Sequence, residues 1–476
     1  MKNITRIILL TSILFLSSFL LSGCTPSEET VGKYNKLVNE ADLLIEGKEY
    51  SSAMEKLNSA SELIPERVDS FNRMIEILVL KNRLEDATIV IEESAQKVSD
   101  SDKANLYLLV GNAHYDLKNY SKALYNYELA KGFLQSNDEI SLGIAKVYLQ
   151  QNRIEDSKKI LDNGYEGSIG IEVKLLLSYI QSLSDIEKAK DLIKDVQPDE
   201  EWKGMYASWK ETLDSLDDDE LFNSAKLSEG YMFGGYPSLV VTLLEPKKTE
   251  MIEYIDGIYM LGKAYYELEE YQKSIDVLSN ATSVSDLNQY IYWVLARDSY
   301  MLDDVNKAFT YYESAISFAG DKADARLYQE YLDLMFENNL LSKGAETMRK
   351  AERIFDSTWV EIYYMNLYAL TKENESFEYH MNKVDMNTIE DRYKGDYLYS
   401  KGKYLIENSE FDEAKRTLDI FWDLDKYDPR YNLLFAQLSF EEGNLKDART
   451  YANKSIEYDL DREVTDEAQK LLATVE

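Results

Sequence analysis

One cysteine in 476 residues leaves no partner for a disulfide. Two histidines, His114 and His380, are too few for a zinc site of the usual kinds. No glycine-rich phosphate loop and no G-x-S-x-G elbow occurs. The acidic run Asp217–Glu220 lacks the D-x-D-x-D-G spacing of a calcium loop and reads instead as the start of a helix, where carboxylates meet the positive helix end. Basic residues are scarce too: 53 against 87 acids, a net charge of −34, which excludes nucleic acid as a partner. With carboxylates everywhere, a pair of them diagnoses nothing. The sequence offers no catalytic residue, no metal ligands and no cofactor motif, and an enzyme is not expected.

Prolines number six and glycines 20, whereas 45% of residues are hydrophobic and 37 are tyrosine. Such a chain folds and is mostly helical rather than disordered. Only its N-terminus carries a long uncharged apolar run. "MKNITR" supplies Lys2 and Arg6, the run Ile7–Leu21 follows, and Ser22 and Gly23 lead into Cys24. A basic start, an apolar centre and small residues before a cut are the parts of a secretory signal, and the run is shorter than the roughly 20 residues that span a bilayer. "LSGC", residues 21 to 24, resembles the lipobox of bacterial lipoproteins. The resemblance implies a signal peptide over 1–23, a diacylglycerol on the Cys24 sulfur and residues 24–30 as lipidated N-terminus and tether. The expected location is extracytoplasmic, held to a bacterial membrane by the lipid anchor alone. So acidic a body would stand off anionic head groups.

The remainder repeats itself. "GNAHYDLKNYSKALYNYELA" begins at Gly111, "GKAYYELEEYQKSIDVLSNA" at Gly262 and "GKYLIENSEFDEAKRTLDIF" at Gly402. Each has a glycine, an apolar or aromatic residue nine later, and Ala or Ser twelve after the glycine. The small residue recurs at Ala53, Ala87, Ala123, Ser157 and Ala189, then at Ser274, Ala308 and Gly344, then at Ala414 and Ala448. Neighbouring steps run from 32 to 36 residues. These windows resemble tetratricopeptide (TPR) repeats, whose period is 34 residues. The resemblance implies an all-α solenoid of about twelve helix-turn-helix units forming a superhelix. Small residues let the two helices of a unit approach, larger ones fill the space beside them, and stacking buries what one pair cannot. The spacing predicts a first array over 31–200, an irregular or inserted helical segment with a degenerate repeat over 201–250, a second array over 251–462 and a capping helix over 463–476.

In TPR proteins partners generally lie along the first helix of each unit. Carried onto this register, those positions give Tyr115 and Lys146, then Tyr259, Lys263 and Tyr266, then Tyr290, Trp293 and Arg297, then Tyr399 and Lys403. Rigid aromatic rings and arginine are the residue types that anchor interfaces, and tyrosine is common enough here that some rings are expected simply to pack between repeats. The favoured reading is a membrane-anchored scaffold that binds a protein or peptide segment in this groove, in envelope assembly, secretion or complex organisation. The alternative is a surface lipoprotein that captures a glycan or solute on the same rings.

Overall fold

The computed structural model describes residues 26–475 apart from 82, 95–96, 163–166, 282–287, 356, 460–461 and 463. Cys24 and the apolar run before it lie outside the described residues. Among the described residues the regular elements are 26 α-helices and three short 3₁₀ turns. Twenty-four of the helices follow one another as twelve pairs, the number the periodicity predicts, and two stand alone, Lys203–Asp214 and Thr465–Val475. The fold is an all-α, TPR-type array. No described helix is long and apolar enough to cross a membrane.

The chain divides into two compact units, residues 1–110 and 111–476, with the boundary inside the helix Asp100–Asp116. In the first unit Ser27 caps the opening helix, its hydroxyl accepting from the Thr30 amide at 3.1 Å. Helix therefore begins at Glu28. A small core of Tyr34, Val38, Ala60 and Ile64 joins the two helices of the first pair. The Tyr34 hydroxyl accepts from the Ser70 amide at 3.2 Å, which ties the second pair to the first.

The pairs close through one recurrent turn. In nine of them three residues join the helices, and the middle one has positive φ: Lys48, Lys118, Asn152, Gly235, Glu269, Asp303, Asn339, Ser409 and Gly443. The third turn residue then donates its amide back into the first helix, as Asn119 does to the His114 carbonyl at 2.8 Å and Glu270 to that of Tyr265 at 2.9 Å. That left-handed cap satisfies carbonyls the helix end leaves open.

Close approach between helices follows the small residues. The Tyr127 ring lies between Gly111 and Gly143, where an added Cβ would come within 2.6 and 2.8 Å of ring carbons. Leu278 fills the place beside Gly262 in the same way, and Leu434 that beside Gly402. Two large hydrophobic cores run through the second unit, and the helix Asn288–Met301 serves both, giving Val294 and Leu295 to one and Trp293 and Ala296 to the other.

Within residues 201–250 lies the additional helix Lys203–Asp214, followed by the pair Glu220–Phe233 and Pro237–Leu244. The additional helix exists to deliver a ring. Trp209 is fully buried, donates to the Ser178 hydroxyl at 2.8 Å and packs 4.3 Å from Tyr179. Gly230 makes room for it on the next helix. Asp219 caps that helix, accepting from the Leu221 and Phe222 amides at 2.9 and 3.0 Å.

Candidate binding clefts of the second unit

Three clefts open chiefly across the first helices of successive pairs. The first, with a volume of about 430 Å³, crosses the helices Ile255–Glu267, Asn288–Met301 and Ala325–Glu337. Its walls include Tyr266, Tyr300, Met301 and Tyr312. One side of it is anchored by a closed network. Glu330 accepts from the Trp293 indole at 2.7 Å, from the Tyr312 hydroxyl at 3.1 Å, and from Arg297 through two nitrogens at 2.5 and 3.0 Å. The Arg297 guanidinium carbon also lies over the Trp293 ring, 4.5 Å from its centre. Burial pushes the Glu330 carboxyl up, but the donors from Arg297, Trp293 and Tyr312 outweigh it and hold it below its ordinary value. Trp293 is only 8% exposed, so it acts as a strut of this cleft and offers little surface to a visitor.

The other side is acidic and open. Asp333 and Glu337 line it, and among the described residues neither has an ion pair; Tyr363 donates to Asp333 at 2.9 Å and Tyr300 to Glu337 at 3.3 Å. Asp333 is exposed to solvent, with the cleft walls crowding its carboxyl. Desolvation, with help from the charges of Glu337 and Glu330, pushes its carboxyl up to about 6.

A second cleft, again about 430 Å³, holds Tyr115, Lys146 and Trp202. Lys146 pairs with Glu172 at 2.9 Å and sits 5.4 Å from the Tyr115 ring centre. Burial pushes the Tyr115 phenol up to about 12, and its oxygen accepts from Gln150 at 3.2 Å. A third cleft, of about 940 Å³, holds Tyr399 and Lys403 and is lined otherwise by side chains such as Asn366, Ser400 and Asn408. Lys403 reaches Glu467 on the last helix at 3.3 Å.

The structure thus gathers the expected residues into separate places. Tyr266 and Arg297 share the first cleft with Trp293 behind them; Tyr115 and Lys146 share the second; Tyr399 and Lys403 share the third. Tyr259 and Tyr290 meet each other, ring centres 6.3 Å apart, and Lys263 is half-buried without an ion pair among the described residues. Three of the four bases expected in the groove (Lys146, Arg297 and Lys403) are paired with Glu172, Glu330 and Glu467. The bases therefore do not make the groove positive.

Those glutamates, together with Asp333 and Glu337, are what reasoning from sequence missed. Register places all but Glu467 on first helices, and Glu467 on the final unpaired helix, but among 87 acids nothing marks them. His380 shows the same limit. It is buried, stacks on Tyr364 at 4.2 Å and contacts Glu361 through Nδ1 at 2.5 Å, a partner 19 residues away. Among the described residues no group of His, Cys, Asp and Glu is placed to hold a metal ion.

No protein-family model and no curated protein matches the chain. Among solved structures it is similar to the Cut9–Hcn1 hetero-tetramer of the APC/C, at 10% identity and a TM-score of 0.37, covering 93% of this chain and 96% of that one. It is also similar to yeast Tom70, at 14% identity and a TM-score of 0.36, covering 93% and 94%. PilF of Pseudomonas aeruginosa matches over 59% of this chain and 89% of its own, at 11% identity and a TM-score of 0.23. At such identities and scores these likenesses say nothing of ligands or partners.

Proposed function

We propose that this chain is a scaffold that holds a protein or peptide segment along the first-helix clefts of its second unit, and that a lipid on Cys24 tethers it outside the cytoplasm. The observation that carries the binding half is the row of clefts itself. Each crosses the first helices of successive pairs and is walled by tyrosine, a side chain that gives large contact area for little lost freedom. The anchoring half rests on the residues Ile7–Cys24 alone. A role in envelope assembly or secretion follows from that location.

Two experiments test the two halves. In a bacterial host supplied with labelled palmitate, the wild-type chain takes up label and partitions to membranes, and the Cys24→Ser variant does neither. Equal labelling of both defeats the anchor. For the scaffold, the purified chain is cross-linked in its host envelope and the attached species are identified by mass spectrometry. Peptides joined to first-helix residues near Tyr266, Tyr115 or Tyr399 support it. Cross-links confined to other faces, with a glycan array bound through the amide-lined third cleft, establish the glycan reading in its place.

A further inference from the structure

From the first cleft we infer that the segment held there is basic, a lysine- or arginine-bearing stretch of a partner protein whose cationic side chain enters between Tyr266 and Tyr300 and meets Asp333 and Glu337. The inference rests on the scaffold reading above and adds the chemistry of the partner to it.

Charge complementarity carries the argument. Three carboxylates and one guanidinium line this cavity, and the guanidinium is already bound to Glu330 through two of its nitrogens. Two carboxylates are left facing the space with hydroxyl donors and, among the described residues, no cation. A protein gains nothing structurally by setting two unneutralised acids against tyrosines, since like charges repel and partial desolvation raises the cost. A guanidinium or ammonium in the cavity removes both penalties, and it also gains the face of an aromatic ring. Tyr300 and Met301 are exposed, so the entrance is open. The second cleft repeats the sign, with Asp116, Glu139, Glu172 and Glu201 around the single Lys146. Two like-signed aromatic clefts in one unit suit an extended chain with spaced positive side chains better than a single small cation. A net charge of −34 would draw such a segment in from a distance.

The test uses fluorescein-labelled dodecapeptides of alternating Arg and Ser, Lys and Ser, and Glu and Ser, titrated with the purified chain at about 50 mM salt, where surface attraction is little screened. The basic peptides are expected to bind saturably and the acidic one not at all. The Asp333→Asn/Glu337→Gln variant should lose about tenfold in affinity, the worth of one charge-assisted pair. Tyr300→Leu should lose severalfold. The Glu62→Gln/Glu66→Gln variant removes the same charge from the first unit and should bind as wild type does. If the cleft variant binds like wild type, or if the first-unit variant loses as much, attraction is diffuse and the inference fails. Failure here with cross-links still mapping to first-helix residues would leave the scaffold standing with a partner of other chemistry.

Discussion

Lys118 and Glu267 are 149 positions apart in the chain, and their side chains form an ion pair of 2.9 Å. The same ammonium also donates to the Glu267 backbone carbonyl at 3.3 Å. Lys118 is the left-handed residue of its turn, so the cap that closes one pair also points a charge at the end of a helix four pairs later. Gln150 adds a parallel tie, donating to the Gly235 carbonyl at 2.9 Å, and Thr242 donates to Asn152 at 2.7 Å. These contacts bend the early part of the second unit back on itself, beyond the nearest-neighbour stacking expected of repeats.

The Lys118–Glu267 pair is exposed, so its energetic weight is small. A double-mutant cycle with Lys118→Ala and Glu267→Ala should give a coupling of about 0.2–1 kcal/mol at low salt that fades at high salt. Zero coupling at low salt would show that the turn and the helix end do not meet in solution.

Glu330→Ala leaves Arg297 and the Trp293 indole without their acceptor. The expected cost is about 2 kcal/mol, below the range for a fully buried pair because part of Arg297 still reaches water. Thermal unfolding followed by tryptophan fluorescence measures it. Glu330→Gln, which keeps an acceptor oxygen, should cost less, and equal losses would mean that charge alone holds the network.

Asp298 sets an opposite pH dependence to Glu330. It is fully buried and accepts from the Ser274 hydroxyl at 2.6 Å, and desolvation pushes its carboxyl up to about 7. A folded value above the unfolded one means that its contribution is complete below about pH 4 and is lost as pH rises to about 7. The loss amounts to as much as about 4 kcal/mol, since each unit is about 1.4 kcal/mol. Glu330, held low, contributes above its unfolded value and is lost on acidification. Asp298→Asn should therefore be more stable than wild type at pH 8 and no more stable at pH 4. Identical pH profiles for the two proteins would refute the assignment.

Gly143→Ala puts a methyl against the Tyr127 ring on one side while Gly111 pins the other. Overpacking of this kind costs about 1–3 kcal/mol. Adding Tyr127→Leu should recover part of the loss, as a non-additive pair in a double-mutant unfolding series.

Ser409 has φ of +64° in an exposed turn. Relief of left-handed strain outweighs the greater freedom of glycine in the unfolded chain, so Ser409→Gly should stabilise by about 0.5 kcal/mol. A lower melting temperature for the variant would contradict the cap geometry.

The helix pairs were legible because their cause is local and repeated. Gly111, Gly262 and Gly402, each with its small partner twelve residues later, are required wherever two helices cross closely, and twelve such units leave a period that survives weak members. The turns were less legible: Gly235 and Gly443 announce a left-handed residue, Asn152, Asn339 and Asp303 tolerate one, and the same cap elsewhere uses lysine, glutamate or serine. Its stability comes from the backbone bonds of the cap, which residue identity does not reveal.

The groove divided along the same line. Register alone put Tyr266, Arg297 and Lys403 on first helices, because the face a residue occupies follows from helical period. Sign and accessibility did not follow from it. Arg297 is neutralised by Glu330 from the next pair, Lys403 by Glu467 and Lys146 by Glu172, and Trp293 is drawn inward by the same glutamate. Such pairings depend on which residues stacking brings within a few ångströms across 26 to 64 positions of chain. A surface with 87 acids contains no local mark for the few that will face a cleft. Periodicity decides where a side chain points; only the packed repeats decide what waits there to meet it.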